Sequence, residues 1–357
     1  MATEVGIGVV GSGLWASTVH LPAYQAHPRA RLVGIYDVDR AGAARAAKQF
    51  GIEAVFSDYH ALLARADIDA IDIITPNVTH VALTLAAIAA GKHVICEKPM
   101  AMNGAEAQQM ADAAAKANCK TAINFTWRNP PAVQYMRHLI EQERIGKIYH
   151  VQGIYRAGWG RNEQRPIEWR LQQKFAGTGV LGDIGSHLID MVEWLTGERI
   201  TSLVADLNTF QAERPLADGS GMGVVDVDDA VSFLARLSGG GMATFLATFY
   251  GTGERMNQGV EIFGQKGALK MEYTNQATIR AALEPFDGDY NFIDLPIPDH
   301  FKTAGWDLRQ NTVRRFVDAI ADDEAMTPGF EDGLRNQRII DTVVASAREG
   351  KWLAVPA

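Results

Sequence analysis

Two side chains in the stretch 177–197, GTGVLGDIGSHLIDMVEWLTG, have types and spacing suited to proton chemistry. Asp183 and His187 are four residues apart, so on a helix they project from one face, one turn apart. An imidazole titrates near neutral pH and can take a hydroxyl proton there, and a carboxylate one turn away can orient it or bind the substrate. The competing reading is a helix-start carboxylate and a satisfied core histidine. The helix itself is legible. Leu181, Ile184, Leu188, Val192 and Leu195 recur at three- and four-residue steps, and Gly197 offers the left-handed stop that ends many helices.

An acid/base pair needs other elements to supply its partners. Residues 5–10, VGIGVV, are an apolar β-branched run followed at once by Gly11-Ser12-Gly13-Leu14-Trp15-Ala16. This fits G-x-G-x-x-G/A between a strand and a helix. Gly11 permits the tight turn, Gly13 lets the backbone approach a pyrophosphate, and small Ala16 lets helix and strand pack closely. The helix N-terminus then offers unpaired N–H groups to the phosphates. The next strand, 31–36, ends at Asp37. A carboxylate there accepts from both ribose hydroxyls of NAD and repels the 2′-phosphate of NADP; the alternative is a solvated strand end. NAD is therefore the predicted cofactor.

Helices at 39–50, 58–65, 78–90 and 103–117 alternate with strands at 53–56, 70–74, 93–96 and 120–124. Such alternation predicts a doubly wound parallel sheet. Ligands of such sheets bind beyond the carboxyl ends of the strands, where Thr75-Pro76-Asn77, Glu97-Lys98-Pro99 and Asn124 stand.

The length of 357 residues exceeds what one hydrophobic core usually serves, and the change of pattern divides it into domains at 1–125 and 126–357. A net charge of −8 argues against general affinity for nucleic acid or acidic membranes. Cys96 and Cys119 lack metal-ligand spacing and read as free thiols, a single disulfide being the alternative. Only MATE precedes the first strand and no apolar run is long enough to span a bilayer, so the expectation is a cytoplasmic protein.

With these residues in hand, the chain resembles the glucose–fructose oxidoreductase/inositol dehydrogenase (Gfo/Idh/MocA) family. The resemblance is carried by GSGLWA, Thr75-Pro76-Asn77 with His80, Glu97-Lys98-Pro99, Asn124 with Trp127-Arg128, Trp169-Arg170, and Gly182-Asp183-Ile184-Gly185-Ser186-His187-Leu188-Ile189-Asp190. It implies a Rossmann domain, then an α+β domain built on a large, open, mostly antiparallel sheet, with a cofactor between them. It assigns catalysis to Lys98, Asp183 and His187. Contacts to the cofactor fall to Gly11, Gly13, Leu14, Trp15, Asp37, Thr75, Asn77, His80, Glu97, Lys98, Asn124, Trp169 and Arg170, with His20 in support. The Lys98–Pro99 bond is often cis in the family.

The second half alternates as strands at 148–155, 200–207, 230–237, 241–250 and 259–263, with Ser238-Gly239-Gly240 as a hairpin turn. Helices follow at 306–322, with Trp306, Val313, Phe316, Val317 and Ile320 on one face, and at 330–348. One of these helices is expected to return to the Rossmann domain. The segment 156–170, RAGWGRNEQRPIEWR, holds four arginines and two tryptophans. Family position makes it a loop over the active site, where Trp159 could stack on a sugar ring and Arg156 or Arg161 could grip hydroxyls or an anionic group. An intersubunit loop is the alternative. The acidic run 226–229, DVDD, reads as a strand lead-in rather than a metal site, and the histidines show no metal-ligand spacing.

The reaction expected from the resemblance is hydride transfer between a secondary hydroxyl of a sugar or polyol and C4 of the nicotinamide. His187 would be the general base, Lys98 would stabilise alkoxide character, and Asp183 would hold the substrate or orient the other two; Lys98 and His187 can exchange roles. An NAD-dependent glycoside hydrolase, oxidising its sugar transiently, is the alternative. A non-catalytic regulator is disfavoured, since Lys98, Asp183 and His187 are all present. An exposed apolar face on the second sheet would favour a homodimer or homotetramer.

Overall fold

The computed structural model describes residues 4–274, 278–285, 291–302 and 307–357. It separates into two compact units, Met1–Thr126 with Trp306–Gln337, and Trp127–Gly305 with Arg338–Ala357.

In the first unit, β1 (Val5–Val10), β2 (Ala30–Tyr36), β3 (Ala54–Phe56), β4 (Ala70–Ile73), β5 (His93–Cys96) and β6 (Thr121–Ile123) form one sheet in the order β3-β2-β1-β4-β5-β6. Every neighbouring pair is parallel. The connections are α1 (Leu21–Gln25), α2 (Arg40–Phe50), α3 (Tyr59–Leu63), α4 (His80–Ala89) and α5 (Gly104–Ala117). All six residues of β1 are buried, which explains why the run VGIGVV shows no polar alternation: helices cover both faces of the sheet. The order reverses between β1 and β4, so the ends of β1, β2, β4, β5 and β6 deliver the polar clusters to one edge.

In the second unit, α6 (Pro131–Glu141) precedes β7 (Ile148–Ala157), and the short α7 (Gln173–Ala176) precedes α8 (Ser186–Thr196). Strands follow as β8 (Ile200–Asn208), β9 (Glu213–Pro215), β10 (Met222–Val224), β11 (Ala230–Leu237), β12 (Met242–Thr248), β13 (Met256–Gly264), β14 (Gly267–Glu272), β15 (Thr278–Leu283), β16 (Ile293–Pro296) and, at the end of the chain, β17 (Leu353–Ala354). Nine of them make one sheet, β16-β15-β14-β13-β7-β12-β11-β8-β17, and β9 and β10 make a separate hairpin. The pairing is antiparallel except between β12 and β7. The fold class is as expected, but the sheet is wider than the five strands read from alternation. β14, buried at four of its six positions, shows no clean alternation, and β9, β10 and β17 have three residues or fewer.

Side-chain alternation gives the large sheet two different faces. Val231, Phe233, Ala235 and Leu237 of β11 are buried, as are Val151, Gly153 and Tyr155 of β7, and α8 lays Leu188 over Gly153. The opposite face carries Leu234, 42% exposed, and Met242, 50% exposed, among Arg236, Gln152 and Thr244, so it is mixed rather than uniformly apolar.

Two helices complete the chain, α9 (Asn311–Ala321) and α10 (Phe330–Glu349). Val313, Phe316 and Val317 of α9 enter a core with Val5, Ile7 and Ile95 within the first unit. Trp306, placed by periodicity on this helix face, lies outside the described residues. The helix starts later than that pattern suggests, after a 3-10 turn at Leu308–Gln310 in which the Asp307 side chain accepts from the Arg309 N–H. No helix among the described residues is long and apolar enough to cross a membrane.

Candidate active site

The turn after β1 is built for close approach from outside. Gly11 has φ +108°, and a Cβ there would lie 2.3 Å from the Ile74 carbonyl oxygen, so only glycine fits. A Cβ at Gly13 would meet nothing within 4 Å, and Leu14 is 79% exposed. The turn thus leaves space on its outer side for a phosphate-bearing group. Ala16–His20 then forms a π-helical turn before α1, a feature frequent at functional sites.

Asp37 stands at the end of β2. Its Oδ2 accepts from the Ser12 N–H at 2.7 Å and the Ser12 hydroxyl at 2.6 Å, and its Oδ1 accepts from the Asp39 N–H at 2.9 Å. A carboxylate has about four acceptor positions. Asp37 can therefore take one further hydroxyl as it stands, and two if the Ser12 hydroxyl rotates away. These observations fit a bound NAD. At the end of β4, His80 is fully buried between the Thr75 carbonyl, 2.9 Å from Nε2, and the Pro99 carbonyl, 3.1 Å from Nδ1. Burial pushes its pKa down. Asn77 is also buried. The neutral His80 ring has one N–H and donates to one of these two carbonyls.

Glu97 is only 8% exposed. Its Oε1 accepts from the Trp15 indole at 2.8 Å and from the Asn124 amide at 2.6 Å, and Oε2 accepts from the Lys98 backbone N–H at 3.2 Å. His20, fully buried, lies between two carboxylates, with Nδ1 2.7 Å from Asp72 Oδ2 and Nε2 2.9 Å from Glu97 Oε1. Burial alone would lower the His20 pKa, but the charges and hydrogen bonds of Asp72 and Glu97 outweigh it and raise the value to about 10. Burial would likewise raise Glu97, yet the His20 hydrogen bond and charge, the Lys98 charge and the Asn124 amide hold it at about 2. The imidazolium donates from both nitrogens, so the 3.0 Å approach of Asn124 Nδ2 to His20 Nε2 is two donors converging on one oxygen. The Lys98–Pro99 peptide is cis.

In the second unit the stretch around Asp183 and His187 is a π-helical turn, Leu181–Gly185, running into α8. Its start is set by a residue the sequence did not single out. Asp228 Oδ1 accepts from the Gly179 N–H and Oδ2 from the Leu181 N–H, both at 2.7 Å, filling donors that a helix N-terminus leaves open. A Cβ at Gly179 would lie 2.1 Å from the Asp228 carbonyl oxygen, so this approach too requires glycine. The run DVDD is therefore a set of backbone acceptors: Asp226 takes the Gln173 N–H and Asp229 those of Phe210 and Gln211. No metal-holding cluster occurs among the described residues. Asp228→Ala removes both bonds and is expected to cost about 1–3 kcal/mol each where a buried donor is left unmet. Urea unfolding with turnover of the folded fraction measures it, and an unchanged midpoint would refute the capping role.

Further along the helix, Asp190 is buried and takes a bidentate pair from Arg128, 2.9 Å from Nε and 2.5 Å from Nη2. The Asp183 side chain is 24% exposed, and Arg170 Nε is 3.9 Å from its Oδ1. Arg170 also lies over the Trp169 ring, 4.4 Å from its centroid, and 3.9 Å from Glu168. Both residues were assigned to the cofactor from resemblance; the structure brings Arg170 to Asp183. His187 is 6% exposed and edge-on to Trp127, 6.4 Å between ring centroids. Trp127 also meets Tyr155 at 5.3 Å and Tyr273 at 4.5 Å. Burial and the nearby Asp183 charge raise the Tyr155 pKa, keeping the phenol neutral. Its inward position follows from the period-two pattern of β7, the signal that could have drawn attention to it.

The arginine and tryptophan segment divides. Arg156 alternates with Tyr155 and so points to the outer face of the sheet, away from Asp183. Trp159 packs on Phe249 at 4.1 Å and lies under Arg165 at 4.4 Å, so its ring is occupied by protein. Arg161 is exposed. The loop is held from beneath by Arg214, which is fully buried and donates to the carbonyls of Asn162 at 2.8 Å and Gly160 at 2.5 Å. Nothing in the sequence near Arg214 signals this.

Comparison with known proteins agrees along the whole chain. Residues 5–125 match the family described as "Oxidoreductase family, NAD-binding Rossmann fold", and residues 133–270 match the GFO/IDH/MocA C-terminal domain. Levoglucosan dehydrogenase of Pseudarthrobacter phenanthrenivorans is 32% identical, over 99% of this chain and 98% of the relative. Inositol 2-dehydrogenase of Rhizobium meliloti is 27% identical, over 98% and 99%. The solved structure of a levoglucosan dehydrogenase in complex with NADH and levoglucosan superposes with a TM-score of 0.93 at 31% identity, covering 99% of this chain and all of that one. A dinucleotide turn that fits NAD and matches across both halves lead to one conclusion: the chain belongs to the GFO/IDH/MocA family and is an NAD-dependent oxidoreductase.

Proposed function

We propose that the protein oxidises a secondary hydroxyl of a sugar, anhydrosugar or polyol, reversibly. The observation that carries this reading is Asp183 and His187 one turn apart on a capped helix, the first partly exposed, in a chain of an NAD-dependent family. Bound NAD supplies the hydride acceptor at C4 of its nicotinamide. His187 takes the hydroxyl proton, helped by its tight setting beside Trp127, which limits the ring's orientations. Lys98 places a positive charge on the oxygen as it becomes alkoxide-like. Asp183, with Arg170 on one side and Tyr155 nearby, accepts a substrate hydroxyl. Relatives named for levoglucosan and inositol support a cyclic polyhydroxy substrate.

A panel of anhydrosugars, sugars, inositols and sugar acids, followed at the nicotinamide absorbance with NAD and NADP, tests the reading. Growth of NADH with a cyclic sugar or polyol is the expected result. Release of an aglycone from a glycoside with no net NADH would instead assign the NAD-dependent hydrolase reaction. No turnover in either assay would overturn both.

Asp37 is proposed to hold the adenosine ribose. Hydrogen bonds to a charged group contribute about 1.5–3 kcal/mol, so Asp37→Ala is expected to weaken NAD about 10- to 100-fold and to narrow its advantage over NADP. Nicotinamide fluorescence titrations with NADH and NADPH measure this, and an unchanged ratio would remove Asp37 from the assignment.

A further inference from the structure

We infer that Glu97 is a positioning residue, whose carboxylate joins the dinucleotide turn to the backbone of Lys98. The inference rests on the reading of Lys98 as catalytic. On one side, Glu97 Oε1 holds the indole N–H of Trp15, 82 residues away and next to exposed Leu14 in the glycine turn. On the other side, Oε2 accepts the N–H of Lys98. Asn124, following β6, and His20, anchored on Asp72 of β4, fix the same carboxylate from two further directions.

Chain segments that follow three strands, β1, β5 and β6, thus meet on one group. Both of its oxygens are engaged and it is 8% exposed, which leaves it poorly placed as a direct ligand contact and well placed as a joint. A shift in the turn is therefore transmitted to the Lys98 backbone through Trp15 and Glu97 rather than absorbed by a mobile loop.

Glutamine is the informative replacement because it has the same shape and only one acceptor oxygen. With its oxygen toward Trp15, its NH₂ faces the Lys98 N–H, donor against donor. With the amide reversed, the NH₂ faces the Trp15, Asn124 and His20 donors. Either way one end of the joint is lost.

The test uses Glu97→Gln in the full chain, with four readouts. Exchange of the Lys98 amide in the protein without NAD is expected to quicken about 10-fold or more, since its acceptor is gone. With the sugar that the panel identifies, kcat is expected to fall about 10- to 100-fold, the scale of a displacement near 1 Å. KM for that sugar and the NADH dissociation constant by fluorescence are expected to move less than about 3-fold. Trp15→Phe, which keeps a ring and deletes the indole N–H, is expected to change kcat in the same direction by less, and it stands in if Glu97→Gln does not fold.

A weakened NADH affinity with kcat intact at saturating NAD would make Glu97 a cofactor contact and overturn the inference. A lowered melting midpoint with normal kcat and normal Lys98 exchange would make it a structural residue only, and overturn it equally. Lys98→Met separates the two layers. If that variant turns over normally, the catalytic reading of Lys98 has failed. If it is inactive while Glu97→Gln is normal, only the positioning role has failed.

Discussion

Replacing His187 by alanine is expected to lower kcat by about 10²- to 10⁴-fold, the usual contribution of a positioned general base. The ring is 6% exposed, edge-on to Trp127, on a helix whose first turn is capped by Asp228. Such a setting holds a catalytic ring in one orientation. Alanine deletes the proton acceptor and leaves the helix, since alanine is a good helix former. Lys98→Ala is expected to lose about 10²- to 10³-fold by removing the charge proposed to stabilise the developing alkoxide. NADH should bind both variants nearly as it binds the parent, because the glycine turn and Asp37 are intact. Stopped-flow turnover with fluorescence titration of NADH measures both quantities. Near-normal kcat in both variants would discard the site assignment.

Replacing His20 by alanine is expected to destabilise the protein by about 3–5 kcal/mol, the cost of breaking a buried ion pair from one side. Asp72 and Glu97 would then face each other across the emptied space without their shared cation. The pH dependence carries a definite sign. The His20 value in the folded protein, about 10, lies above the ordinary 6.5, so protonation favours folding. That contribution is fully present below 6.5 and is lost as pH rises through about 10. Glu97, held at about 2 against an ordinary 4.5, contributes above 4.5, and its part is lost as pH falls through about 2. Urea midpoints should therefore differ most between parent and His20→Ala near pH 6, and the gap should narrow by pH 9. A gap that is absent at pH 6, or that widens toward pH 9, would contradict a charged His20.

The two halves of the chain were unequally legible. β1 through β6 were readable because each strand is short, apolar and bounded by turns or capped helices, all local signals. β5 begins and ends where its pattern does, His93–Cys96. β14 through β16 were not: β14 is buried at four of its six positions without clean alternation, β15 has only two buried residues, and β16 is four residues long with none buried. Within the candidate site, Gly11, Asp183 and His187 announced themselves by spacing. Asp228 did not, since nothing in DVDD indicates that its third residue meets a turn 47 residues upstream.

The chain's own pattern determined the alternating α/β architecture, the dinucleotide turn with Asp37, and the helix that carries Asp183 and His187. These follow from backbone geometry and periodicity within windows of a few residues. Only the tertiary structure decided that Glu97 turns inward to Trp15 and His20, that Arg156 faces away from Asp183 while Arg170 reaches it, and that Arg214 supports the arginine loop. For Glu97 and Arg214 the physical reason is the same. A buried polar group must find a partner or lose the hydration it gave up, and those partners stand in turns and loops more than fifty residues away along the chain.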